Sequence, residues 1–262
     1  MIDDLRGKTA LVTGSSQGIG KAIALALAAQ GVSLGLCARG KENLESAAAD
    51  AKKAGSPKVV VAAADCTDPG DVKGMVSTIS SGLGHIDILV NCVGRAKAGP
   101  FLQLTDQDWL ETINLKLMAA VRVTREVLPH MIEAKAGRII NIGGVFGTKP
   151  SPFSLPMGVV NAGLFNFTKG LAQDAVRHGV LVNAISPGRV DTPLFEKLVE
   201  RQAQQTGVSR ERALETILSD VPIGRAGTAA EIANAVLYLA SDLSSYVVGE
   251  ILTVDGGWVK CL

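Results

Sequence analysis

The sequence predicts an α/β domain, a parallel seven-stranded sheet with helices on both faces. Two observations carry this. Short apolar runs alternate with helical stretches along the whole chain, and strands buried on both faces read as continuous apolar runs. The chain has 262 residues, 47% apolar and 19% charged. That suffices to core one domain spanning 1–262, and no repeat, linker or low-complexity tract divides it.

TALVT (9–13) is the first strand, with a helix following from about Ile19 to Gln30. SLGLCA (33–38) is a strand, 41–54 a polar-faced helix and KVVVAAA (58–64) a strand. Asp68 and Pro69 suit the N-cap and first turn of the next helix, which leads to the strand IDILVN (86–91). A single long helix is expected over 105–134, then the strand GRIINI (137–142) and a helix within 151–172. VLVNAIS (180–186), a helix over 228–241 and EILTVDG (250–256) complete the alternation. Only 193–222 falls outside the rhythm: charged, helical and inserted at the carboxyl edge of the sheet, where a substrate lid belongs.

Charge and composition exclude several partners. Twenty-six basic against 25 acidic residues give net +1, without the basic surplus of a nucleic-acid binder, and 4% aromatics make a poor base-stacking platform. The acidic start lacks the features of a signal peptide, and IALALAAQGVSLGLCA is interrupted by Gln30, Gly31 and Ser33, so no membrane span is expected. Cys37, Cys66, Cys92 and Cys261 have neither metal nor redox spacing and read as small hydrophobes in a reducing, cytoplasmic compartment. No metal site is expected.

TGSSQGIG (13–20) places Gly14, Gly18 and Gly20 between the first strand and first helix. Glycines there let the backbone approach a pyrophosphate, and the helix start supplies free N–H groups. The second strand ends in Cys37-Ala38-Arg39, with Arg39 where an NAD-binding chain carries an acid. A guanidinium suits a 2′-phosphate, which favours NADP(H) over NAD(H).

These residues make the chain resemble the short-chain dehydrogenase/reductase family, from about Gly7 to Trp258, and the resemblance implies a doubly wound Rossmann fold. TGSSQGIG resembles that family's TGxxxGxG, Asp65 its adenine-contacting acid, and Asn91-Cys92-Val93-Gly94 its NNAG with two positions changed. Asn114 stands at its structural and catalytic asparagine, and Pro187-Gly188 with Val190 and Thr192 at the segment that holds the nicotinamide amide. The cofactor set so implied is Gly14, Ser16, Gln17, Gly18, Ile19, Gly20, Arg39, Asp65, Cys66, Asn91, Gly94, Asn161, Pro187, Gly188, Val190 and Thr192. A homodimer or homotetramer is implied too, with the long helix and the helix after the fifth strand forming its face. Met157, Val160, Leu164 and Phe167 recur there at helical spacing, which serves either a core or a partner.

The family's Ser-Tyr-Lys positions fall on Gly144, Met157 and Asn161, and no Tyr-x-x-x-Lys exists elsewhere in the chain. Asn114 is the remaining catalytic candidate. Ser154, Thr148 and Lys149 are possible substitutes, and Arg95 and Lys97 possible binders of an anionic substrate group. Three functions stay open: an NADP(H)-dependent oxidoreductase of an unidentified small molecule with an atypical active site, a non-catalytic NADP(H)-binding sensor, scaffold or subunit, and a lyase or isomerase.

Overall fold

The structure, a computed structural model, describes residues 2–95 and 97–260, so Cys261 lies outside it. The first half runs β1 (Thr9–Thr13), α1 (Gly18–Ala29), β2 (Ser33–Ala38), α2 (Lys41–Lys53), β3 (Val59–Ala63), α3 (Pro69–Leu83) and β4 (Ile88–Asn91). The second runs α4 (Asp106–Thr112), α5 (Ala119–Ala134), β5 (Gly137–Ile142), α6 (Leu155–Ala175) and β6 (Val180–Pro187). It closes with β7 (Val190–Asp191), α7 (Pro193–Thr206), α8 (Arg210–Leu218), β8 (Gly227–Thr228), α9 (Ala229–Ala240) and β9 (Ile251–Val254).

Seven strands form one parallel sheet in the order β3-β2-β1-β4-β5-β6-β9. The order reverses between β1 and β4, which opens a crevice at their carboxyl ends. One core holds Ile23 and Leu27 of α1 with Val236 and Leu237 of α9. The other holds Met75 and Ile79 of α3 with Val123 and Val127 of α5. Local signals set the helix starts. Asp68 accepts from Asp71 N–H, and Thr105 and Thr228 form capping boxes with Asp108 and Glu231.

The helix expected over 105–134 is not continuous. A π-helical turn, Ile113–Met118, separates α4 from α5. The side chain of Lys116 in this turn is buried and donates to the carbonyls of Ile142 (2.9 Å) and Gly143 (3.4 Å) across the sheet edge. Arg122 Nη1 donates to the carbonyl of Asn114 at 3.5 Å. Such turns recur at functional sites, and here the long-range anchor is invisible to helix periodicity. The segment 193–222 forms two helices, α7 and α8, around Phe195, Val199 and Ala213. The two-residue strands β7 and β8 pair beneath it. They are too short to leave a pattern in sequence. On α6, Val160 and Leu164 belong to the core, each 1% exposed, whereas Met157 and Phe167 are half-buried. No helix among the described residues is long and apolar enough to cross a membrane.

Candidate functional site

The loop between β1 and α1 is shaped by what its glycines exclude. A Cβ on Gly20 would lie 2.2 Å from the carbonyl oxygen of Gly14, and one on Gly14 would lie 3.0 Å from that of Cys92. Gly14 and Gly18 also have φ of +67° and +56°, the left-handed region that disfavours side chains. The loop therefore turns tightly and presents backbone at the start of α1. Ser15 ties it to β2, its N–H and hydroxyl both donating to the Cys37 carbonyl. Thr13 ties it to β4 by accepting from Cys92 N–H at 3.0 Å. Ser16, Gln17 and Ile19 ride on this frame, and a Cβ on Gly18 would meet the Thr192 methyl at 3.6 Å. Thr192 N-caps α7, so the glycine loop and the start of α7 face each other.

Arg39, just past β2, is more than half exposed and lies 4.0 Å from Asp65. Asp65 accepts from the N–H and hydroxyl of Thr67, which with Arg39 hold its carboxyl below the usual range. Cys66 is buried with its sulfur 3.9 Å from that of Cys37, a juxtaposition their sequence spacing did not suggest. Both are free thiols, and the contact with Cys66 and burial push the Cys37 thiol up.

Asn91 is buried at the carboxyl end of β4. Its amide donates to Thr124 (3.0 Å) and Asn141 (2.9 Å), and Asn141 donates to Thr168 (2.9 Å). This buried chain ties β4 and β5 to α5 and α6. Gly94 is required by Lys116: a Cβ there would come within 2.9 Å of the amine and closer still to its stem. Burial pulls that amine down to about 8. A lysine inside the apolar run INLKLM is the signal that sequence reasoning passed over. Neighbouring Asn114 lines a hollow of about 370 Å³ with Gln107, Leu110, Glu111, Ile113 and Met118.

At the carboxyl edge of β5, Gly144 meets Asn161. Gly144 is extended, so its backbone accepts any residue, and a Cβ there would sit 3.0 Å from Asn161 Nδ2 and 4.0 Å from the Pro187 carbonyl. Asn161 is 1% exposed, and its Oδ1 is buried without a partner among the described residues. Met157 precedes it by one turn on the same face of α6. Gly188 is held against Asp255, whose Cα would be 2.8 Å from an added Cβ, while Val190 starts β7. The two tyrosines lie elsewhere, Tyr238 in α9 and Tyr246 fully exposed before β9.

The proposed substitutes mostly have other work. Thr148 donates to the Val145 carbonyl, Ser154 caps no N–H of α6, and Lys97 bonds Asp108 at 3.1 Å. Lys149 pairs with Asp220 at 3.5 Å, and Arg95 is exposed. Among the described residues no three His, Cys, Asp or Glu side chains cluster as metal ligands.

Comparison with known proteins agrees with this architecture. Residues 14–259 match the family model described as enoyl-(acyl carrier protein) reductase. The chain is 36% identical over 256 residues to 3-oxoacyl-[acyl-carrier-protein] reductase FabG of Thermotoga maritima, covering 97% of this chain and 99% of that one. Among solved structures, the L-sorbose reductase of Gluconobacter frateurii, complexed with NADPH and L-sorbose, superposes with a TM-score of 0.95 at 33% identity over 100% of both chains. An NAD+-bound xylitol dehydrogenase superposes with a TM-score of 0.91 at 30% identity over 97% of this chain and 99% of that one.

Proposed function

The chain belongs to the short-chain dehydrogenase/reductase family, and we propose that it is an NADP(H)-dependent oxidoreductase that works without the family's phenol–amine proton relay. The observation that carries this is the pairing of an intact glycine loop with a reaction edge formed by Gly144, Met157 and Asn161. A tight backbone turn at the start of α1, facing Thr192 across the crevice, fits a dinucleotide. Asn161, whose Oδ1 has no partner among the described residues, is the residue we assign to a ribose hydroxyl. A bound nicotinamide nucleotide supplies the hydride donor or acceptor. Arg39 favours NADP(H), because its fork is largely exposed and its contact with Asp65 is long, leaving donors for a 2′-phosphate. The mixed cofactors of the structural relatives make this preference a property of Arg39 rather than of the fold.

Met157 and Gly144 carry no proton to give. Met157 narrows the site and keeps water off, and Asn161 binds. The proton comes from water or from the substrate itself. A positioned acid is worth about 10²–10⁴ in rate, so the substrate is one whose reduction or oxidation needs little such help. Calorimetric titration with NADPH and NADH, then a panel of carbonyl, alcohol and enoyl substrates followed by nicotinamide absorbance, tests this reading. Tight NADPH binding with turnover of a panel member is expected; binding with no turnover leaves a cofactor-binding subunit instead. Gly144→Ser, Met157→Tyr and Asn161→Lys together are expected to raise carbonyl reduction by about 10²-fold or more. No gain at unchanged NADPH affinity would refute the assignment of these three positions.

A homo-oligomer, dimer or tetramer, forms part of the proposal. Leu110 of α4 and Val159 of α6 are 60% and 54% exposed on the expected face, and light scattering on the purified protein tests it. A reducing cytoplasm suits the free thiols of Cys37 and Cys66.

A further inference from the structure

Two residues beyond Pro187, the guanidinium of Arg189 stands over the ring of Trp258 at 4.5 Å and over that of Phe146 at 5.8 Å. The two rings meet edge to face, 5.7 Å apart. Arg189 is largely withdrawn from solvent, and its Nε is buried with no acceptor among the described residues. The acid whose charge it feels is Asp220. That carboxylate is already engaged, accepting from Trp258 Nε1 at 2.5 Å and pairing with Lys149 at 3.5 Å. Lys149 also lies 5.0 Å over the Trp258 ring. Lys149, Asp220, Trp258 and Lys260 line a cavity of about 360 Å³.

Among the described residues that line the cavity, Lys149 and Lys260 face one acid, Asp220, and Arg189 over Trp258 adds a third positive charge beside them. Burying a donor without a partner is costly, so the Nε of Arg189 points to an acceptor outside the described residues. The aromatic pair fixes the guanidinium plane and leaves its N–H fork free for an acceptor lying in that plane, the geometry a carboxylate provides.

The cavity adjoins the sheet edge that the functional reading assigns to the substrate. Phe146 lies in the short helical turn Val145–Gly147 that follows Gly144, and Arg189 follows β6 by two residues, so both leave the same edge of the sheet. The lid ends here as well: Val221, just past α8, packs on Trp258 and Val145.

We propose that Arg189, braced by Trp258 and Phe146 and assisted by Lys149 and Lys260, is a binding site for a carboxylate carried by the substrate. The substrate class is then an oxo or hydroxy acid. Only this class rests on the oxidoreductase reading; the anion site itself does not.

The test is a binding measurement, so it is independent of turnover. The full-length Trp109→Phe protein, whose remaining tryptophan is Trp258, is titrated with hexanoate, with its neutral amide and with hexyl phosphate, following fluorescence, with and without NADP+. Hexanoate is expected to bind at least about tenfold tighter than the amide. Arg189→Gln is expected to remove that discrimination, Arg189→Lys to keep part of it, and Lys149→Gln with Lys260→Gln to weaken it by a smaller factor. Equal binding of hexanoate and amide, or no saturable binding of hexanoate, overturns the proposal. So does undiminished discrimination in Arg189→Gln. Tighter binding of hexyl phosphate than hexanoate overturns the carboxylate assignment. Should Arg189→Gln fail to fold, Arg189→Lys and the double lysine variant still decide. An anion site without turnover of any oxo or hydroxy acid keeps the site and overturns the substrate class, whereas no turnover of any redox substrate sinks the functional reading.

Discussion

The amino-terminal edge of the crevice and the carboxyl-terminal edge are built on different principles. Around β1, β2 and β4 the decisive groups are backbone: Gly14 and Gly20 are fixed by what a Cβ would strike, Gly18 by its positive φ, and Thr13 and Ser15 bind main-chain atoms. Around β5, β6 and α6 the groups that distinguish the edge are side chains. The reaction edge holds Gly144, Met157 and Asn161, while the cations collect one step outward at Arg189, Lys149 and Lys260. A backbone turn closed by sterics tolerates almost no change, whereas side chains on the opposite edge can be exchanged with the sheet unaltered.

Gly20→Ala is the strongest test of the rigid side. With 2.2 Å to the Gly14 carbonyl, its methyl forces backbone apart, and a loss of about 3 kcal/mol in stability or an equivalent loss of NADPH affinity is expected. Gly74→Ala in α3, where nothing lies within 4 Å, is the control and should leave both intact or gain up to about 1 kcal/mol in stability. Equal behaviour of the two variants would break the distinction between the edges.

Lys116 connects the edges, and its titration is readable in stability. The folded amine lies near 8 against an ordinary 10.5. Between those values the unfolded chain holds a proton that the folded chain has released, so stability rises with pH, by up to about 3 kcal/mol. Below about 8 both states are protonated and the full cost of burying the charge is felt. Urea titrations across the window should show this rise in the wild type and its loss in Lys116→Met; parallel curves would place the amine in water.

Asn91→Ala should cost about 2 kcal/mol, because Asn141 Oδ1 loses its buried donor, and should leave NADPH affinity nearly unchanged. A large affinity loss at unchanged stability would return Asn91 to the cofactor. The smallest effect is expected at Asn161. Asn161→Leu removes an unpaired buried oxygen, so stability should hold within about 1 kcal/mol while NADPH affinity falls about five- to tenfold, as calorimetry would read. Unchanged affinity would detach Asn161 from the ribose.

Much of this molecule was written locally. The strands over 9–13, 33–38 and 137–142 and the cap at Asp68 follow from apolar runs and short-range hydrogen bonding, which act over a few residues and survive any packing. The glycine loop was legible for the same reason: a forbidden Cβ is a property of the chain's own neighbourhood. The π turn at Ile113–Met118, the Cys37–Cys66 contact, the withdrawal of Lys97 to Asp108 and the placement of Arg189 over Trp258 were not. Each joins residues that only the packing of the sheet edge brings together. Sequence alone determined the parallel sheet and the glycine turn at the head of α1, because sterics and periodicity are local. Tertiary structure decided which charges are buried and which are paired, because burial and pairing depend on neighbours distant in the chain.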